Sequence, residues 1–416
     1  MPIKPNPIWK DISVRESHLK SILKEMELNG RKILALTGGD PPRWGHINQP
    51  ISKYLIEAAE EGWHTYRGQS NDKGLGSTPT LHNQLQNAIM EHEKQWHSVE
   101  FKPENIFFAG GCAGSILMVH SALLEYGDEV ITFEPSHYMD NPTSYFNLFK
   151  TKVVSCQQVE EMGWEPDINE LRKKITNKTK LIVINNPNNP TGKIYDEKTL
   201  KNIVNIAGEY DLPIMSDEIY TYITYDGIIA KSTAAVANDV PVIVINGLAK
   251  FFMRTGWKVG YAAIHDPNGK ADELIKAIRN VWRIYGGPMR SMPTPMLYTA
   301  IKTFRGPVDA GREFVQKLQT HRDYVMKRID EINELNAVKP EGTYYTFPKI
   351  DKIGVGKTWN SDIDFLVELV KEQSLTFLPG SEFGKSGHGH IRVINLPNID
   401  ILEDAFNRLD AFFKTK

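Results

Sequence analysis

Between residues 104 and 264 the chain repeats one pattern. Short apolar runs, rich in Val and Ile, alternate with longer stretches patterned at helical spacing. Ile106–Ala109, Val130–Phe133, Lys152–Ser155, Leu181–Ile184, Pro213–Ser216, Val242–Ile245 and Val259–Ile264 read as strands. Such alternation predicts an α/β fold with a mostly parallel, doubly wound sheet. Ligands of such sheets bind outside the carboxyl ends of the strands. Ahead of this region, Glu16–Leu28 reads as an amphipathic helix, and Leu34–Pro42 as a strand running into a Gly/Pro turn. After it, Gly269–Tyr285 carries Leu274, Ile275, Ile278, Val281 and Trp282 at helical spacing, a stripe that belongs to the core. From about residue 300 a small α+β domain is expected. Its helices are Phe314–Ile332, Asp362–Lys371 and Asp400–Phe413, the last with Asp400 and Glu403 as a capping box. Its strands are Gly342–Phe347, Thr376–Phe377 and Ile391–Ile394.

Several strand ends carry polar residues. Lys250 follows Val242–Ile245, and a lysine there can lose its proton and attack a carbonyl carbon to form a Schiff base. Most lysines are merely solvated, so this residue alone decides nothing. Lys258 follows among Gly256 and Gly260, a setting that suits a cation meeting a phosphate beside close-packed backbone. In NNPNNPTG (185–192) two prolines hold Asn189 in a sharp turn; the plain reading is an ordinary Asn/Pro turn. In SDEIY (216–220) Asp217 leaves a strand and Tyr220 falls on the same side if a helical turn begins there; an acidic helix start is the plain alternative. AGGCAGS (109–115) joins a strand to the helical stretch Ile116–Leu124, placing amides where a phosphate could sit or making a simple βα turn. Arg392 lies within an apolar alternation, where an unpaired guanidinium is costly to bury.

These residues together fit pyridoxal 5'-phosphate. That cofactor needs a lysine for its aldehyde, a carboxylate for its ring nitrogen, donors for its phenolate oxygen, and cations with amides for its phosphate. An amino-acid substrate then needs a guanidinium for its carboxylate.

The ordered motifs WEPDINELRKKI, NPNNPTG, IAGEY, SDEIY, NGLAK, TGW and GY, dense over Trp164–Pro267 and resumed over Pro340–Leu402, make the chain resemble the class I/II pyridoxal-phosphate aminotransferases of fold type I. The branch of archaeal alanine aminotransferase-like enzymes is the most similar. The resemblance implies that Lys250 is the aldimine lysine and the acid/base of proton transfer. It implies that Asp217 pairs with the ring nitrogen, and that Tyr220 and Asn189 hold the phenolate oxygen. Cys112, Ala113, Gly247 and Lys258 would surround the cofactor, with Tyr66 lent by a second subunit. His137 stands where an aromatic usually stacks on the ring, and Tyr138 beside it is the alternative. Arg392 would clamp the substrate carboxylate, helped by the Gly39 amide. A homodimer is implied, with residues 1–50 packing on a small domain, 51–295 as the large domain and 296–416 as the small one. The implied reaction moves an amino group from an amino acid, alanine first, to a 2-oxo acid such as 2-oxoglutarate.

Composition narrows the rest. A net charge of −2, with no basic tract, gives no reason to expect nucleic acid. No apolar run reaches the roughly 18 residues of a membrane span, and MPIKPNPIWK lacks a signal-peptide core. Two cysteines make no disulfide framework, so the expected setting is a reduced cytoplasm. Gly384-Lys385-Ser386 fails the P-loop template, because Pro379 occupies the glycine position. His388 and His390 lack a nearby third ligand, so no metal is expected. Three departures from the family leave open a lyase or oxidative reaction on the same cofactor: the long loop 63–82 ending in Leu81-His82, His137, and lysine rather than arginine at 258. A non-catalytic regulator on this scaffold is the third reading, opposed by the joint presence of Lys250, Asp217, Tyr220, Asn189 and Arg392. Trp44, Trp63, Tyr285 and Arg290 are candidates for the substrate's side-chain pocket.

Overall fold

The structure, a computed structural model, describes residues 18–64, 80–139, 150–284 and 292–416. Tyr66, Tyr285, Arg290 and the first residues of the expected N-terminal helix lie outside the described residues.

Apolar runs that must be buried on both faces form the centre of an eight-stranded sheet. In chain order the strands are β1 (Leu34–Ala35), β2 (Ile106–Gly110), β3 (Glu129–Glu134), β4 (Lys152–Val159), β5 (Glu165–Pro166), β6 (Thr179–Asn185), β7 (Ile214–Asp217), β8 (Val242–Gly247) and β9 (Val259–His265). All but β1 belong to the sheet, whose order is β2-β9-β8-β7-β6-β3-β4-β5. The neighbours from β8 through β4 are parallel. β9 runs antiparallel between β2 and β8, and β5 is antiparallel at the far edge. Helices flank the sheet, among them α1 (Gly111–Leu123), α2 (Glu197–Glu209) and α3 (Asp272–Ile284). Residues of β3, β7 and β8 are buried along their whole lengths, and those of β6 are buried except Lys180.

Because these strands are parallel, their carboxyl ends share one edge. Gly110, Glu134, Asn185, Asp217 and Gly247 end there, with Asn185 and Asp217 in register across β6 and β7. Two glycines let β8 and β9 close tightly at this edge. Gly247 pairs with Gly260, and a Cβ at Gly247 would lie 2.3 Å from the Val259 carbonyl oxygen.

The C-terminal part contains the helices α4 (Asp309–Asp330), α5 (Asp362–Gln373) and α6 (Ile399–Phe413), with short strands β10 (Tyr345–Thr346), β11 (Leu378–Pro379) and β12 (Ile391–Ile394) in one antiparallel sheet. The β1 strand pairs with Leu375–Thr376, which ties the N-terminal segment to this part. Trp164 packs on Phe347 and, with Phe383, forms a small apolar cluster between the two sheets' regions.

Three expectations need correction. No helix starts at Asp217: the chain makes isolated turns, Thr221 N–H to Glu218 C=O and Ile223 N–H to Tyr220 C=O. The Glu218 carboxylate accepts from the Ser216 and Ser232 hydroxyls and the Thr233 amide, which pins the segment in that path. Asp400 and Glu403 are not a capping box; Asn398 precedes the helix, and its side-chain oxygen accepts from Lys317 instead. In Gly342–Phe347 only Tyr345–Thr346 is paired as a strand.

Candidate active site

A cavity of about 370 Å³ opens at the carboxyl edge of the sheet. Lys250, Asp217, Asn189, Tyr220, His137, Cys112, Ala113, Lys258 and Gly39 all line it. One end is built from backbone. α1 starts at Gly111, whose φ of +77° a side chain rarely tolerates. The first-turn amides of Cys112 and Ala113 have no partner within the helix, and they carry its positive end. β9 lies directly beneath: a Cβ at Gly260 would fall 2.3 Å from the Gly111 carbonyl carbon and 2.4 Å from the Cys112 nitrogen. Lys258 crosses the same loop, its backbone 3.7 Å and its side chain 3.8 Å from where a Gly111 Cβ would stand.

Asp217 occupies the middle. It is 3 % exposed, and burial pushes its carboxyl up to about 6. Opposing that rise are the Tyr138 hydroxyl, which donates to Oδ2 at 2.9 Å, the Ile219 amide on Oδ1 at 3.2 Å, and the Lys250 charge. Asn185 holds two neighbours at once. Its Nδ2 donates to the Asp217 carbonyl, and its Oδ1 accepts the Asn189 amide at 2.8 Å.

At the other end, Arg392 stands on β12 and is buried. Its Nη1 donates to Asn189 Oδ1 at 2.9 Å and its Nη2 to the Thr37 carbonyl at 2.7 Å. The guanidinium lies over the Tyr345 ring at 4.2 Å, and Nε has no partner among the described residues. Tyr345 in turn shares a 2.9 Å hydrogen bond with Tyr220. Burial pushes the Tyr345 phenol up, but Arg392 and Lys250 outweigh it and leave the group below its ordinary value. Lys250 Nζ donates to the Gly39 carbonyl at 3.0 Å, which also accepts the Tyr344 hydroxyl at 2.8 Å. His137 is neutral: burial, then Arg392 and Lys250, push its imidazole down to about 4, and Nδ1 has no partner among the described residues.

Some expected residues stand elsewhere. Gly247 is not among the residues lining the cavity; its close pairing with Gly260 accounts for the glycine. At Gly39 it is the carbonyl that is engaged. Trp44 does not line the cavity, and Trp63 borders a separate crevice with Tyr54 and Tyr298. Among the described residues no cluster of three metal-ligating side chains exists, and no helix is long and apolar enough to cross a membrane. His390 stacks on Phe347, with its Nε2 3.3 Å from Glu160. Tyr344, Tyr345 and Asn185 were not expected at the site, and Tyr138, expected only as the alternative ring-stacking residue, instead meets Asp217 through its hydroxyl. A paired tyrosine in GTYYTF was the one visible signal.

Charge provides a test of fit. Lys250 and Lys258 line the cavity with Asp217, and Arg392, not itself a lining residue, adds a third positive charge behind the wall residues Asn189 and Tyr345. Among the described residues none of the three cations is ion-paired with a carboxylate. A phosphorylated cofactor and an acid substrate supply the missing negative charge, so the residues present fit both.

A doubly wound sheet with this lysine, carboxylate and amide-lined helix start at one edge defines a pyridoxal-phosphate enzyme of fold type I. The chain matches the family "Aminotransferase class I and II" over residues 31–406 and belongs to it. It is 30% identical over 394 residues to an aspartate aminotransferase of Bacillus sp. (strain YM-2), covering 94% of both chains. It is also 30% identical over 394 residues to the glutamate-pyruvate aminotransferase AlaA of Escherichia coli (strain K12), covering 94% of this chain and 92% of that one. Among solved structures, alanine aminotransferase from Pyrococcus furiosus superposes with a TM-score of 0.88 at 36% identity, covering 99% of this chain and 100% of that one. The protein is therefore a transaminase that uses pyridoxal 5'-phosphate and acts on amino acids and 2-oxo acids.

Proposed function

We propose that Lys250 is the catalytic lysine of a transaminase whose first donor is alanine and whose acceptor is 2-oxoglutarate. The observation that carries the site assignment is the gathering of Lys250 and Asp217 in one cavity, with Arg392 bonded to its wall residue Asn189 and, among the described residues, unpaired with any carboxylate. When bound, the cofactor supplies an aldehyde that condenses with amines and a ring that accepts the electron pair left when Cα loses a proton. Lys250 would hold that aldehyde covalently and, when free, would be the acid/base that moves the proton at the substrate's Cα. Asp217 keeps the ring nitrogen protonated, so negative charge is absorbed where it develops. Asn189 and Tyr220 donate toward the phenolate oxygen, and His137 covers the ring. The Cys112 and Ala113 amides hold the phosphate together with Lys258, and a second copy of the chain adds Tyr66. Arg392 orients the substrate carboxylate.

The alanine and 2-oxoglutarate assignment draws on the names of the alanine and glutamate-pyruvate relatives. The homodimer, and the division into an N-terminal segment of residues 1–50 that packs with the small domain, a large domain of 51–295 and a small domain of 296–416, follow the family. Spectral titration tests the reading. Alanine should convert the cofactor to its amine form, and 2-oxoglutarate should restore the aldehyde form. Ammonia release in place of this reversible cycle would refute it.

A further inference from the structure

Asp217 leaves β7 into a cavity wall where water is excluded, so something must hold its carboxylate in place and in the charged form. The backbone does half of this through the Ile219 amide. The other oxygen is met by a side chain from a different strand. Tyr138 lies just past the end of β3, is 5 % exposed, and lines the same cavity as Asp217. Its own amide donates to the Ser136 hydroxyl oxygen, and the Met139 amide donates to the Ser136 carbonyl, so the turn that carries it is fixed.

We propose that Tyr138 is a positioning residue for the cofactor: its hydroxyl, donating to Asp217 Oδ2, fixes the carboxylate that faces the ring nitrogen and favours its charged form. This rests on the assignment of Asp217 as the ring-nitrogen partner.

The chemistry follows from the donor set. A phenol that donates to a carboxylate stabilises the ionised form, because the protonated acid accepts more weakly. Burial pulls the other way. The other titratable groups facing Asp217 among the described residues are Lys250, from the segment after β8, and Cys112, at the start of α1. Burial pushes the Cys112 thiol up, so it stays neutral and contributes no compensating charge. Lys250 is neutral whenever it acts as a base and then contributes no charge. Tyr138 and the Ile219 amide hold one carboxylate oxygen each at every stage, and a bound cofactor's protonated ring nitrogen would add to them. The hydroxyl also limits how strongly the carboxylate pulls on the ring proton, since one oxygen is already engaged.

The test uses the holoenzyme and Tyr138→Phe, which removes one oxygen and keeps the ring. The acid limb of kcat/KM and of pyridoxal-phosphate affinity should move up by about one pH unit. Affinity at neutral pH should fall roughly ten- to a hundred-fold, the loss expected for one hydrogen bond to a buried charge. The nitrogen-15 resonance of the labelled cofactor ring should shift as its proton is held differently. Circular dichroism and thermal melting report whether the variant folds, and the same substitution in Asp217→Asn completes a cycle. If Tyr138 acts through Asp217, its loss costs little further in that background. An unchanged acid limb and ring resonance in Tyr138→Phe, with Asp217→Asn impaired, would overturn the proposal. So would equal losses in both backgrounds, which mark a packing role. An Asp217→Asn variant with normal affinity and ring resonance would instead sink the Asp217 assignment, and this proposal with it.

Discussion

Arg392→Lys separates recognition of the carboxylate from everything else at the site. The guanidinium has five N–H groups. One goes to Asn189 Oδ1 and one to the Thr37 carbonyl, while its face covers Tyr345 at 4.2 Å. A hydrogen on each Nη remains, enough for a two-pronged grip on a carboxylate. An ammonium has three donors in all. If it keeps Asn189 and Thr37, one is left, and the planar contact with Tyr345 is lost. The deficit is one charge-assisted hydrogen bond, about 1.5–3 kcal/mol, or roughly ten- to a hundred-fold in kcat/KM. Both half-reactions use a substrate with a carboxylate beside the reacting carbon, so the loss should be similar for alanine and for the 2-oxo acid. An alkyl amine lacking that carboxylate should react with the bound cofactor at the same rate in both proteins. Stopped-flow absorbance under single-turnover conditions measures all three. A variant within about two-fold of the parent for alanine, or one that loses as much with the alkyl amine, would refute the assignment.

Lys250→Ala should lower turnover by about 10²–10⁴-fold, the range for a lost acid/base group. Borohydride reduction, which joins cofactor to lysine in the parent, should then leave no pyridoxyl group on the corresponding peptide. Gly260→Ala would place a Cβ 2.3–2.4 Å from the Gly111–Cys112 backbone. About 1–3 kcal/mol of stability should be lost, with weaker cofactor binding, read by thermal melting and pyridoxal-phosphate titration. Glu93 is buried, accepts the Tyr261 hydroxyl, and is pushed up to about 7 by burial. Its folded value exceeds its ordinary 4.5, so its contribution to stability is complete below about 4.5 and is lost as pH rises toward 7. Glu93→Gln should flatten the fall in melting temperature across that window; an unchanged slope would contradict the buried, protonated state.

Strands were legible wherever apolar residues ran consecutively. Ile391–Ile394 is observed with the expected bounds, and Val242–Ile245 extends to Gly247. Direction was less legible. Nothing in VGYAAIH distinguishes β9 from its parallel neighbours, because a residue buried on both faces has the same chemistry whichever way the strand runs. The turn after Asp217 misled for a different reason. Its spacing suits a helix, but Glu218 is bonded to Ser232 and Thr233, fourteen and fifteen residues further along the chain, and those bonds decide the path.

The same division runs through the site. Lys250, Asp217 and Asn189 lie at or just past strand ends, so the alternation that predicts the sheet also predicts their shared edge. Tyr138 also lies just past a strand end, which places it at this edge but does not say what its hydroxyl meets, and Tyr344 has no such anchor. Tyr138 meets a carboxylate 79 positions along the chain, and Tyr344 meets a carbonyl 305 positions away. A tyrosine's local pattern is that of any half-apolar residue, and only the packing of one element on another decides whether its hydroxyl meets a charge or solvent. Strand-end chemistry is therefore readable from the chain, whereas the groups that adjust that chemistry emerge only once separate elements are packed. Tyr138, from the turn after β3, reaches the carboxylate on β7 across β6, the strand that lies between them in the sheet.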